Sequence, residues 1–374
     1  MAPLTDLQRF GQSLWYDNIS RDLLQSGAIK KLIDEGVTGM TSNPAIFEKA
    51  ITGSTVYDDQ LRELARQGKS PEEIFEGLAV DDIRAAADLL RPVFDRTGGA
   101  DGYVSLEVSP FLAHDTKGTS HAAQRLARWV DRPNLMVKIP ATPEGIPAIE
   151  DSIAAGLNIN ITLIFSREMY ARVMEAYQRG LERRVNDGQA VNGIASVASF
   201  FVSRVDSLVD KMLDSKLADG APSDIQALHG KAAIANAKLA YQLFQSTFNK
   251  PRFQALAARG ARVQRPLWAS TSTKNPAYRD VIYMEQLIGS DTVNTAPPLT
   301  IDAFRDHGAA SATLELGADE ARATEAALAK AGVDMDEVTD QLLTEAVRLF
   351  ADPFQKLLDA IEVKRKEFAE APAA

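Results

Sequence analysis

The chain of 374 residues contains no cysteine. Disulfides, thiolate nucleophiles and cysteine-based zinc sites are therefore excluded. Histidine is scarce too: His114, His121, His229 and His307 show neither His-x-His nor His-Glu-x-x-His spacing, so no histidine-based metal centre is expected. No apolar run approaches bilayer-spanning length, and the first residues lack a basic stretch followed by an apolar one. The expectation is a cytoplasmic protein without a membrane partner. Positive charge is not in excess: a formal net charge of −10 argues against a general nucleic-acid partner, but leaves room for small phosphates, which need only a local cluster of cations. Neither Gly-x-Gly-x-x-Gly after the first strand nor a Gly-x-x-x-x-Gly-Lys loop is present, which counts against a doubly wound dinucleotide or nucleotide fold. There is no internal repeat, low-complexity segment or clear linker.

What is present begins with Asn134-Leu135-Met136-Val137-Lys138-Ile139-Pro140, an apolar run with one amine inside it. It reads as a buried strand on which Leu135, Val137 and Ile139 share one face, and Met136 and Lys138 the other. If the apolar trio meets covering helices, Lys138 faces inward. Desolvation there favours the neutral amine, the form that attacks carbonyls, so Lys138 is a candidate Schiff-base nucleophile. The alternative is a structural lysine, paired with a buried carboxylate or reaching to water at a strand end.

Seven further strands are expected, at 13–17, 36–44 (with its exit at Pro44), 102–109, 157–163, 193–199, 266–270 and 292–296. Helices are expected at 18–24, 28–34, 54–96 with breaks near Gly68 and Pro71, 120–130, 143–154, 166–186, 201–217, 223–248 and 276–287. Residues 319–368 also read as helical, with a cap region at 334–336, and residues 370–374 as a frayed tail. Strand and helix alternating eight times is the pattern of an α/β (β/α)8 TIM barrel. With 45% hydrophobic residues, residues 1–374 are read as one barrel domain with additional outer helices and a C-terminal helical extension packed on it.

In such a barrel the carboxyl ends of the strands converge on one mouth. Near those ends stand Asp17, Asn43, Glu107, Lys138, Asn160, Thr162, Ser199, Ser272 and Lys274. An amine, two carboxylates and several amide and hydroxyl groups suit aldol chemistry on a polyhydroxylated ketone: the amine forms an iminium electron sink and the carboxylates move protons. Each has a plainer reading. Asp17 could cap the following helix, Glu107 could simply neutralise Lys138, and Asn43 before Pro44 could be a turn residue.

The segments Thr41-Ser42-Asn43-Pro44, Ser105-Leu106-Glu107-Val108, Val137-Lys138-Ile139-Pro140, Gly156 through Ser166, Ser199 through Arg204, and Trp268 through Pro276 together resemble the transaldolase family, in this order and across nearly the whole chain. The resemblance implies a metal-independent Schiff-base barrel enzyme of the pentose phosphate pathway. It transfers a dihydroxyacetone unit from sedoheptulose 7-phosphate to glyceraldehyde 3-phosphate, giving erythrose 4-phosphate and fructose 6-phosphate. It further implies Lys138 as the Schiff-base lysine and Asp17 as the acid–base at the cleaved bond, with Glu107 and Thr162 positioning a catalytic water. Asn43, Asn160 and Ser199 would hold the dihydroxyacetone hydroxyls, Phe201 would line the pocket, and Arg204 would bind phosphate. Some members carry an arginine where this chain has Lys274, beside Ser272, as second phosphate contact. No cofactor is implied; the partners are sugar phosphates, and the protein would be a monomer or homodimer. Two other readings remain: a fructose 6-phosphate aldolase-like enzyme that releases free dihydroxyacetone, against which the acidic Glu107 argues, and a non-catalytic sugar-phosphate-binding barrel. Residues 221–260 and the helices from Asp319 exceed the shorter members, as outer cover, lid or subunit contact.

Overall fold

Short runs of β-branched, aromatic and aliphatic residues form eight strands in a computed structural model that describes residues 4–370: β1 (Gln12–Asp17), β2 (Val37–Thr41), β3 (Val104–Glu107), β4 (Leu135–Pro140), β5 (Ile159–Ile164), β6 (Ser196–Phe201), β7 (Arg265–Ala269) and β8 (Thr292–Ala296). All pair in parallel in sequence order, and β8 returns to β1 to close a barrel. This is the (β/α)8 TIM barrel that the alternation predicts. Nearly every strand residue is buried, because the sheet is covered by helices outside and filled by side chains inside. The frayed tail expected beyond Glu370 lies outside the described residues.

Helices before the third strand are α1 (Asp6–Arg9), α2 (Arg21–Gln25), α3 (Ala28–Asp34), α4 (Pro44–Thr52), α5 (Asp58–Arg66) and α6 (Pro71–Arg96). Between the next strands lie α7 (Thr116–Val130), α8 (Gly145–Ala154), α9 (Arg167–Asn186), α10 (Ser203–Ala218), α11 (Ala232–Phe248) and α12 (Pro251–Ala257). The chain ends with α13 (Ile282–Gln286), α14 (Pro298–His307), α15 (Ala318–Lys330) and α16 (Met335–Glu370). Among the described residues no helix is long and apolar enough to cross a membrane.

Four helices go beyond the sequence reading: the short α1, and three that share one cause. α4, α12 and α14 each begin with proline in the first turn. Pro44 and Pro298 read as strand exits, yet a first-turn proline costs nothing there, since that N–H has no helical partner and its φ is already helical. In α4 the side chain of Asn43 completes the start, its Oδ1 accepting from the Ile46 N–H at 3.0 Å. The expected helix 223–248 is instead a 3-10 turn at Ser223–Leu228 followed by α11.

Register places the chemistry. Glu107 of β3 stands opposite Lys138 of β4, and Lys138 opposite Asn160 of β5, forming one row on the barrel interior. β6 begins and ends later than 193–199, so Ser199 lies inside the strand. On β5 the expected alternation holds to Ile161 and then breaks: the pairing with β6 shifts register before Ile164, and buried Leu163 takes φ +61°. A bulky residue in that region signals backbone strain of about 1–3 kcal/mol, held where the last inward side chain, Thr162, is aimed at the mouth.

α16 is amphipathic and packs across α4, α5 and α6. Its anchor is Phe354, buried edge-on against Phe75 (5.1 Å between centroids) and Phe111 (5.3 Å). Lys364 pairs with Asp58 at 2.6 Å further along. Phe354→Ala removes this anchor and should cost about 3 kcal/mol, as large-to-small aromatic changes do. It should also expose the segment after Met335 to limited proteolysis. A denaturation midpoint and cleavage pattern matching the parent would contradict this account of the docking.

Candidate active site

A cavity of about 300 Å³ opens at the carboxyl ends of the strands. Asp17, Asn43, Lys138, Thr162, Ser199, Phe201, Arg204, Ser272 and Lys274 all line it. Two expected site residues do not. Glu107 lies behind Lys138. Asn160 is fully buried one layer down, donating to Ser105 Oγ at 3.0 Å and accepting from Ser199 Oγ at 2.7 Å. It braces the serine that faces the cavity.

Lys138 is 5% exposed. Its Nζ lies 3.1 Å from Glu107 Oε2 and donates to the Ser42 carbonyl at 3.1 Å. The neutralising partner foreseen as the plain reading is thus real, and the amine faces the cavity nonetheless. Burial pushes the Glu107 carboxyl up, and the Lys138 charge pulls it back down. The contact is an ion pair outside hydrogen-bond alignment, so Glu107 Oε2 has no hydrogen-bond partner, and neither does the buried Thr162 Oγ1. Two unpartnered buried oxygens near one amine form a polar corner whose hydrogen-bonding demand is unmet by the protein itself.

Asp17 is free of the capping duty that its position suggested, because Ser20 caps α2 by accepting from the Leu23 N–H. Instead Thr41 Oγ1 donates to Asp17 Oδ1 at 2.7 Å, and Thr41 and Thr295 hydroxyls lie 2.6 Å apart. Burial raises the Asp17 carboxyl above the ordinary range; the Thr41 hydrogen bond and then the charges of Lys138 and Lys274 oppose it. The barrel thus holds two buried carboxyls raised by desolvation and drawn back by the charge of the same amine, a setting suited to moving protons.

Cations gather at the outer side. The Arg204 guanidinium stands 5.6 Å from the Phe201 ring and is half-buried, which lowers its pKa, with the charge of Glu345 working the other way. Among the described residues Arg204 has no ion-pair partner. Lys274 donates to Ser272 Oγ at 2.6 Å, and desolvation and then the Arg204 charge lower its pKa, Asp17 opposing. Two cations close enough to repel, in a cavity wall, are arranged for an anion.

The loop carrying Ser272 and Lys274 is tied to the helix carrying Arg204. Tyr278 donates to Asp210 Oδ2 at 2.6 Å and Tyr283 to Asp206 Oδ2 at 2.8 Å, both carboxylates standing on α10. The same two carboxylates accept from the Gly230 and Ala233 N–H groups at the entry to α11. Sequence reasoning missed this bracket, and it missed Thr41, Ser270 and Thr295 on the cavity wall, although all three are polar residues at strand ends. It also missed Leu349 and Phe350 of α16, which reach the cavity from outside the barrel; nothing in their local pattern marks them.

The sequence model of the family described as "Transaldolase/Fructose-6-phosphate aldolase" matches residues 14–361. Among curated relatives, a "Transaldolase 2" of Nostoc sp. is 47% identical over 371 residues, covering 97% of both chains. A "Transaldolase" of Thiobacillus denitrificans is 50% identical over 357 residues, covering 95% of this chain and 98% of its own. Another "Transaldolase", of Frankia alni, is 48% identical over 361 residues and covers 96% of each.

Burial raises the Asp206 carboxyl from 3.8 to about 6, hydrogen bonds from Ala233 and Tyr283 opposing it. The folded state therefore holds this proton more tightly than the unfolded chain. Stability from this group is full below the unfolded value and is lost as pH rises toward the folded one. Against Asp206→Asn, the parent should lose about 2.4 kcal/mol between pH 4 and 7. Melting midpoints of the two proteins across that range measure it, and a constant difference would refute the assignment.

Proposed function

The chain belongs to the transaldolase/fructose-6-phosphate aldolase family, and from that premise we propose that it is a transaldolase moving a dihydroxyacetone unit from sedoheptulose 7-phosphate to glyceraldehyde 3-phosphate. The observation that carries the reading is the buried Lys138–Glu107 pair, set at 3.1 Å in the same cavity region as a second proton-favouring carboxyl, Asp17. Lys138 yields a proton and attacks the ketone carbonyl. Glu107 and Thr162, through a water held by their unpartnered oxygens, take protons from and return them to the carbinolamine until water leaves and the iminium forms. Asp17 then removes the proton of the hydroxyl on the far carbon, the carbon–carbon bond breaks, and the electrons pass to the iminium nitrogen as an enamine. The aldose leaves, the second aldehyde takes its place, and the steps run in reverse.

Asn43 and Ser199 hold the hydroxyls of the three-carbon unit, with Asn160 bracing Ser199 from beneath. Asn43 spends only its carbonyl oxygen on the α4 cap, so its amide N–H groups are free for this. Phe201 lines the pocket, and Arg204 with Ser272 and Lys274 takes the phosphate. The protein works in the cytoplasm as a monomer or homodimer. Release of free dihydroxyacetone, the related aldolase outcome, is disfavoured by the carboxylate at position 107.

Borohydride reduction in the presence of fructose 6-phosphate, followed by peptide mass analysis, should find a dihydroxyacetone-sized adduct on Lys138 and none in Lys138→Ala. Protein that binds the sugar without forming the adduct would end the covalent mechanism. Arg204→Ala should lower kcat/KM for phosphorylated substrates about 10- to 100-fold, chiefly through KM, the loss of one charge-assisted contact. An unchanged KM would remove Arg204 from the phosphate site.

A further inference from the structure

The last helix reaches the chemistry. Phe350 of α16, 7% exposed, stands with its ring centroid 5.4 Å from Lys138 Nζ, and it lines the cavity beside Leu349. No barrel strand or strand–helix loop supplies this contact. The segment is held firmly: Phe354 is locked between Phe75 and Phe111, one turn further along. Pro353 within the helix has no N–H and so removes the bond that the Leu349 carbonyl would otherwise accept, a place where a helix bends. That position is one turn from the cavity-lining Leu349 and Phe350.

Resting on the Schiff-base reading above, we propose that Phe350 is a specificity-determining residue: its ring shields the Lys138 adduct from solvent and so decides that the three-carbon unit is transferred rather than released. The enamine left after donor cleavage has two fates. In transfer, its nucleophilic carbon bonds to the carbonyl carbon of the incoming aldehyde. In release, that carbon instead takes a proton from solvent to give the iminium, water adds to the iminium carbon, and the carbon–nitrogen bond breaks. The balance is enamine plus one proton plus one water giving dihydroxyacetone and the lysine ammonium.

Both fates need the water that serves the iminium, and the unpartnered Thr162 hydroxyl on the cavity wall, with Glu107 behind Lys138, is there to hold it. Only release needs a proton at carbon, and solvent entering the cavity is a ready donor besides the proton that Asp17 took up in the cleavage step. An aromatic ring between the amine and the outside world blocks the solvent donor while leaving the inner water in place. The same ring face stabilises a cationic nitrogen, which favours forming the adduct. The exposed neighbour, Leu349, is 46% accessible at the rim, where an incoming aldehyde must pass.

The experiment uses the full-length protein with fructose 6-phosphate and no acceptor, following glyceraldehyde 3-phosphate through a coupled reaction. The parent should give a burst of one equivalent, then a slow steady rate set by release. In Phe350→Ala the ratio of steady rate to burst rate should rise about tenfold, with free dihydroxyacetone accumulating to match. Phe350→Leu keeps apolar bulk for folding but loses the ring, and should give a smaller rise in the same ratio. An unchanged ratio in the soluble variants, with borohydride adduct still forming on Lys138, would overturn the shielding role alone. Absence of burst and adduct in the parent would instead overturn the Schiff-base reading beneath it.

Discussion

Everything at the mouth of the barrel depends on an ammonium and a carboxylate being kept out of water side by side. Glu107 and Lys138 are register partners on adjacent strands, each almost fully buried. Neither charge could be buried alone without several kcal/mol of desolvation, so each makes the other tolerable. The pairing is still not a closed one, because one Glu107 oxygen and the Thr162 hydroxyl keep unmet hydrogen-bonding capacity.

Around that pair the barrel arranges carboxyls by environment rather than by identity. Asp17, Glu107 and Asp206 are all raised by burial, yet what opposes the shift differs: a threonine hydroxyl, a lysine, and backbone with tyrosine. The first two face the amine. The third fastens the Arg204 helix to neighbouring segments, joined in that task by Asp210, by Tyr278 of the Lys274 loop and by Tyr283 of α13. The Arg204 and Lys274 side of the cavity is therefore held by polar contacts, whereas Lys138 is held by the sheet.

The strands and their inward faces were legible in the sequence because alternation on short apolar runs is a local signal: Glu107, Lys138 and Asn160 lie on the interior as read. Asn160 shows the limit of that signal, since inward does not mean solvent-lining; depth along the barrel depends on neighbours such as Ser105 and Ser199 that no spacing rule orders. Asn43 satisfied both of its readings at once, capping α4 and facing the cavity. Pro44 and Pro298 misled because the same residue that ends a strand also begins a helix, and only the following residues decide between the two. Leu349 and Phe350 were invisible: on a long amphipathic helix they look like core, and the nearness of Phe350 to Lys138 is a fact of docking across more than half the chain.

Closure of the sheet has a consequence for how the protein comes into being. Gln12 of the first strand donates to Thr292 of the last, 280 residues later. Until the ribosome has delivered that last strand, β1 and β7 both present unpaired edges, and most of the hydrophobic interior has a seam open to water. Long-range parallel pairing of this kind is slow and exposes sticky surface meanwhile. The growing chain thus spends most of its synthesis as an unfinished cylinder, with the seam between its first and last strands still to close.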